Sequence, residues 1–359
     1  MATGSINMKI LIVKLSAIGD VIHTLPALNA LRNHYPEANI TWLVEAAAAA
    51  IIADHPALDQ VVISRRKEWV DAILGKSCSE RKQALKEAFG FIRELRQTRY
   101  DLIIDFQNLL KSGFMVGLAR GDCKVGFDKG MQRNEKAHFF YNRRVPPVSM
   151  EMHAIKRYLM LLEAIGIKAK EISYQVPVSD AHQNMIDQLL AKEGVDKNQP
   201  LVVISPMARW KTKLWRPERF AQVADYLLGA AQVKVVFTGG AADRDKVDVI
   251  LNIMTKKAVN LAGHTSLKEL AALCRRAELF ISTDTGPMHL AAAMGTPVVA
   301  LFGPTAPWRT GPYDDGHRVI FSKDPCAPCF KRTCDTSLCM AHITVDEVLK
   351  AVASLLKIG

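Results

Sequence analysis

Short aliphatic runs alternate with helical patterns along the chain, and the alternation stops once and begins again. Residues 9–14 (KILIVK) form the first run, and residues 21–31 follow with helical spacing. Residues 40–45 (ITWLVE), 61–63 and 101–106 (DLIIDF) repeat the run. Between and after them come an Ala-rich helix and a long helix over 79–97, where Leu85, Phe89, Ile92 and Leu95 recur every three to four residues. Helical patterns also cover 109–118 and 152–165. A polar stretch over 169–181 interrupts the series. It resumes with strand runs at 201–205, 233–238, 279–282 and 297–302, and with helices over 217–228, 242–254, 267–275, from Thr285, and over 345–356. Strands separated by helices make βαβ units on parallel sheets. The expected fold is therefore α/β, with two Rossmann-like domains whose parallel sheets face each other across a cleft. The expected boundaries are 8–175 and 176–344, with 345–359 a C-terminal helix free to pack back on the first domain.

Charge narrows the partners. Lys plus Arg is 47 and Asp plus Glu is 36, a net +11. An excess of this size suits nucleic acid, anionic lipid or phosphorylated small molecules. Aromatic residues are only 7% and do not interleave with the basic clusters, so no nucleic-acid partner is expected. No stretch reaches the roughly 18 apolar residues of a membrane helix. Residues 1–7 are polar and lack the basic start of a secretory signal. A cytoplasmic enzyme fits. Seven cysteines are no secreted framework. The spacing Cys326-x2-Cys329-x4-Cys334-x4-Cys339 could hold zinc, but its second half is irregular, free buried thiols or a redox-sensitive loop are expected instead, and no metal or cofactor is assigned.

Ligands of open α/β sheets sit beyond the carboxyl ends of the strands, so the segments after strands carry the chemistry. The first strand ends in Leu15-Ser16-Ala17-Ile18-Gly19-Asp20. Gly19 suits a tight turn, and Asp20 either caps the helix or offers an ionised carboxylate as a proton acceptor. The G-x-G-x-x-G pattern is absent, which weighs against NAD. In the second half, Asp284-Thr285-Gly286-Pro287-Met288-His289 follows a strand and opens a helix whose N–H groups attract phosphate or sugar oxygens. Arg209, Lys211 and Lys213 share a loop able to neutralise a diphosphate, and the 262–266 loop with Thr265 could touch a nucleotide. Arg65, Arg66, Lys67, Lys111, Arg143 and Arg144 would form an anion-binding surface if they converge.

The segments KLSAIGDVIHTLPAL (14–28), DTGPMHLAAA (284–293) and ALFGPT (300–305) resemble the lipopolysaccharide heptosyltransferases of glycosyltransferase family nine, which have the GT-B fold. ITWLVEAA, YDLIIDFQNLLKS and HFFYNRRV add to the likeness, which runs from Met8 to the end. The resemblance implies an inverting transfer of L-glycero-D-manno-heptose from ADP-heptose to the 3-deoxy-manno-octulosonate (Kdo) of a lipid A-linked core. It implies Asp20 as general base. It puts Lys213, Asp284, Thr285, Gly286 and His289 at the donor, with Arg209 and Thr265 nearby. It puts Arg65, Arg66, Lys67 and Lys111 at the acceptor, and Ser16 and Gly19, beside the base, are expected to bind the acceptor as well. Some relatives carry Thr-Thr where this chain has Ala208-Arg209, and their ribose-binding glutamate falls around Asp243, Arg244 and Asp245. Because the acceptor is membrane-anchored, the resemblance also implies peripheral work at the cytoplasmic face of an anionic inner membrane. The alternatives are heptosyltransferase II or another nucleotide-sugar GT-B enzyme, such as a UDP-sugar epimerase.

Overall fold

A computed structural model describes residues 8–356 apart from 76, 132–135, 232 and 337. The first seven residues and the last three lie outside the described residues. The chain divides into two units, Met1–Pro177 and Val178–Gly359.

The strands of the first unit are β1 (Lys9–Val13), β2 (Asn39–Glu45), β3 (Gln60–Ser64), β4 (Arg99–Asp105), β5 (Arg120–Phe127) and β6 (Arg143–Val145). They pair in parallel in the order β3-β2-β1-β4-β5-β6. The register aligns Ile12 with Trp42 on one side and with Ile104 on the other. The helices are α1 (Ile18–Ile22), α2 (Leu25–His34), α3 (Ala46–Ile52), α4 (Arg66–Gly75), α5 (Cys78–Leu95), α6 (Leu110–Leu118) and α7 (Ala154–Glu163). Ile10 to Val13 are fully buried, as a central strand covered on both faces requires.

The second unit repeats the topology. Its strands are β7 (Leu201–Ser205), β8 (Lys234–Phe237), β9 (Val259–Asn260), β10 (Leu279–Thr283), β11 (Val298–Phe302) and β12 (Arg318–Phe321), in the order β12-β11-β10-β7-β8-β9. Its helices are α8 (Asp180–Lys192), α9 (Pro217–Ala230), α10 (Arg244–Ile253), α11 (Leu267–Arg276), α12 (Gly286–Ala293), α13 (Pro307–Thr310), α14 (Leu338–Ala341) and α15 (Val345–Leu356). The terminal helix α15 packs on α9 and on β10 to β12 of its own unit. Its Val348 and Val352 are fully buried in the same core as Trp215 and Phe220.

Both sheets reverse strand order once, between β1 and β4 and between β7 and β10. Those reversals are where doubly wound sheets bind ligands. Two expectations change locally. The helical pattern over 21–31 breaks into α1 and α2, because Pro26 lies at the start of α2 and cannot donate within a continuous helix. A helix the sequence did not announce, α4, begins at Arg66.

Candidate active site

In the first unit the turn after β1 is fixed from below. The Gln107 side-chain oxygen, just past β4, accepts from the backbone N–H groups of Leu15 at 3.0 Å and Ser16 at 3.1 Å. Asp20 lies in the first turn of α1, half-buried, and its Oδ2 accepts from the Ala17 N–H at 3.2 Å. The carboxylate therefore braces the start of its own helix, as the sequence allowed, and stands at the reversal between β1 and β4. Gly19 is buried within α1.

Beneath this turn sits Lys14, only 3% exposed. Its Nζ donates to the Tyr158 hydroxyl at 2.6 Å and to the Phe106 carbonyl at 3.2 Å. Burial disfavours the ammonium, but attraction from Tyr158, Asp20 and Asp105 outweighs it and holds Lys14 above its ordinary value. Asp105, fully buried at the end of β4, is pushed up by burial despite accepting from Tyr141, Asn108 and Gln107.

Glu45, the last residue of β2, gathers the acceptor candidates. Its Oε1 lies 3.2 Å from Lys111 Nζ and 3.5 Å from Arg66 Nη2. Lys111 also donates to Ser16 Oγ at 2.7 Å. Lys111 and Arg66 thus meet at one carboxylate, with Ser16 joined to them through Lys111. Arg65 and Lys67 are exposed at the start of α4 and stand outside that cluster of contacts.

In the second unit the convergence is tighter. Lys213 ends a short 3-10 turn over Lys211–Lys213, after β7, and Asp284 directly follows β10. Lys213 Nζ donates to Asp284 Oδ2 at 2.5 Å and to the Asp284 carbonyl at 3.1 Å. Thr305 Oγ1 donates to the same carboxylate oxygen at 2.7 Å. His289 Nε2 lies 3.7 Å from the other oxygen. Asp284 and His289 are buried, and Thr285 caps α12 with Gly286 as its first residue. Lys213 also stands over the Trp210 indole, 4.7 Å from its centre, with the Arg332 guanidinium 5.1 Å from that ring. Cations beside a helix N-terminus form a site for a diphosphate.

Arg209 is exposed on the same loop. Thr265 is half-buried after β9, two strands from β7, so it sits further along the carboxyl edge than the Lys213 cluster. Asp243 braces the loop after β8 by accepting from the Gly240 N–H at 3.0 Å. Sequence reasoning missed the roles of Glu45, Gln107, Lys14, Tyr158, Trp210 and Thr305. Glu45 and Lys14 left the same weak signal, a charge closing an apolar strand.

Among the described residues no group of three or more His, Cys, Asp or Glu is arranged to hold a metal ion. Cys326, Cys329, Cys334 and Cys339 are free thiols, with Cys339 buried. A cavity of about 680 Å³, lined by Pro200, Val233, Glu278 and Pro297, lies at the opposite, amino-terminal edge of the second sheet.

Comparison with known proteins gives the family and the fold. Residues 88–339 match the family described as Glycosyltransferase family 9 (heptosyltransferase). Lipopolysaccharide heptosyltransferase 1 of Pseudomonas aeruginosa is 32% identical over 329 residues, 91% of this chain and 87% of that protein. Among solved structures, a family 9 glycosyltransferase from Veillonella parvula has a TM-score of 0.80 at 24% identity, covering 98% of this chain and 97% of its own. The Escherichia coli heptosyltransferase WaaC with ADP has a TM-score of 0.78 at 24% identity, covering 97% and 99%.

Proposed function

The chain belongs to glycosyltransferase family 9, the heptosyltransferases, and from that premise we propose that it moves L-glycero-D-manno-heptose from ADP-heptose to the Kdo of a lipid A-linked core. It is a glycosyltransferase of lipopolysaccharide core biosynthesis. The observation that carries the donor assignment is the Lys213–Asp284 pair at 2.5 Å beside the N-terminus of α12.

In the proposed reaction the acceptor hydroxyl attacks the anomeric carbon of the heptose and gives its proton to Asp20. The bond from that carbon to the diphosphate oxygen breaks, and ADP leaves with the electron pair. One displacement inverts the anomeric centre. Hydrolysis of a glycosidic bond uses two carboxylates; here one base and a stabilised leaving group suffice. Lys213 and the N–H groups of α12 take up the charge that develops on the diphosphate, where preorganised donors matter most. Lys111 and Arg66, held in place by Glu45, suit the carboxylate of Kdo. Arg65, Lys67 and Arg209 extend the cationic surroundings from exposed positions, and Thr265 stands on the nucleotide side. No helix among the described residues is long and apolar enough to cross a membrane. We place the enzyme at the cytoplasmic face of the inner membrane, where such an acceptor would be made.

Incubation with ADP-heptose and Kdo-bearing lipid A, read by mass spectrometry, should show one added heptose. Addition only to a core already carrying heptose would assign the chain to the second transfer step. Stabilisation by UDP rather than ADP would overturn the donor.

A further inference from the structure

The helices α4, α5 and α6 and the 3-10 turn Ala137–Phe140 pack their inner faces into one core of the first unit through Trp69, Phe91, Met115 and Ala137. Their outer faces are apolar as well. Each helix presents to solvent a pair of large apolar side chains spaced four residues apart, and so on one face. Val70 and Leu74 are 40% and 77% exposed, Leu85 and Phe89 44% and 69%, and Leu110 and Phe114 49% and 51%. Phe139 adds a seventh at 67%. The exposed parts of these seven side chains remain in contact with water, and grouped exposed apolar residues mark an interaction surface.

The charge around them is basic. Residues 65–97 carry nine Lys and Arg against five Asp and Glu. On α5, Lys82 and Arg93 stand three and four residues from Leu85 and Phe89, with Lys86 between them, all exposed. Lys67 stands three residues before Val70, and Lys136 precedes the turn bearing Phe139. The acids on the same helices are Glu68, Asp71, Glu80, Glu87 and Glu94, of which Glu87 is bound to the Trp69 and Gln83 side chains. Two of the helices also carry acceptor candidates at their N-termini, Arg66 on α4 and Lys111 on α6. At 1.5 Å per residue, Leu74 lies about 12 Å along its helix from Arg66, and Phe114 about 5 Å from Lys111.

We propose that this face docks on an anionic lipid bilayer, its apolar pairs entering the headgroup region and its cations meeting lipid phosphates. Apolar side chains flanked by Lys and Arg bind such surfaces through burial and charge together. The proposal rests on the reading of a lipid-anchored acceptor, and it names the face that would bring Arg66 and Lys111 to that acceptor.

The test is vesicle co-sedimentation of the full chain, with phosphatidylglycerol-containing and with pure phosphatidylcholine vesicles, comparing wild type with Leu74→Ser/Phe89→Ser/Phe114→Ser. Wild type should bind the anionic vesicles and not the neutral ones. The triple variant should bind them roughly tenfold more weakly or worse. Its unfolding midpoint and its turnover of a deacylated, water-soluble Kdo acceptor should stay at wild-type values. Equal vesicle binding by the two proteins would overturn the proposal. So would a wild-type dimer that the variant dissociates while vesicle binding is unchanged, which would assign the face to a second copy. Vesicle binding lost in the variant, with no heptose transfer by either protein, would keep the docking face and remove the function assigned above.

Discussion

Lys213 and Asp284 are 15% and 7% exposed, so each is the other's main compensation for leaving water. Removing one partner of such a pair leaves an unpaired buried charge, which costs about 3–5 kcal/mol. Lys213→Ala should therefore lower the unfolding midpoint and also lower kcat/KM for the donor by about 10²- to 10³-fold. Asp284→Asn in the same chain should restore much of the stability, because the charge is gone, and none of the turnover. Calorimetry and donor kinetics on the two variants separate the effects; recovery of turnover in the double variant would confine Lys213 to a structural role. The residues of this pair were readable in sequence as post-strand groups. Their partnership was not, because Lys213 and Asp284 are 71 positions apart and meet only when β7 and β10 lie side by side. Lys14 was hidden for another reason: a lysine closing an aliphatic strand reads as a solvent-facing strand end, and its burial is explained by the distant Tyr158 hydroxyl and Phe106 carbonyl that accept from it.

At the level of elements, the strands at the centre of each sheet and β3 at one edge were legible, whereas β5 and β6 at one side of the first sheet and β9 and β12 at the two edges of the second were not. β1, β7 and β10 each carry three or four consecutive large apolar residues, the mark of a strand buried on both faces. β5 reads RGDCKVGF and β12 is only four residues with an exposed start, and neither has a clear period. β12 carries a testable pH dependence. His317, just before it, accepts from the Val298 N–H of β11 through Nδ1 at 3.2 Å, so its proton sits on Nε2, 3.1 Å from Asp314. Burial holds this imidazole below its ordinary value of 6.5, with Asp314 opposing. A depressed value means stability that is present above pH 6.5 and is lost as pH falls through the folded value. Urea midpoints should thus fall between about pH 7.5 and about pH 5.5. His317→Gln keeps an acceptor for Val298 and should flatten part of that fall. Parallel curves for the two proteins would exclude His317 as a source.

For the molecule as a whole, two doubly wound sheets of the same topology were foreseeable from one pattern running twice. The terminal helix was less so: its apolar face fits any sheet, and only the packing of Val348 and Val352 in the same core as Trp215 assigns it to the second unit. The net +11 pointed to an anionic partner without naming one. The family likeness supplied the heptose, and the roles proposed for the residues rest on side chains that meet at the strand ends. The central claim is that Asp20 takes the acceptor's proton while the second unit holds the departing ADP. Asp20→Asn tests it most directly, because the amide oxygen can still accept from the Ala17 N–H and leave α1 intact. Rates of heptose transfer should drop about 10²- to 10⁴-fold, with ADP affinity at its wild-type value. Transfer at nearly the wild-type rate would contradict the account.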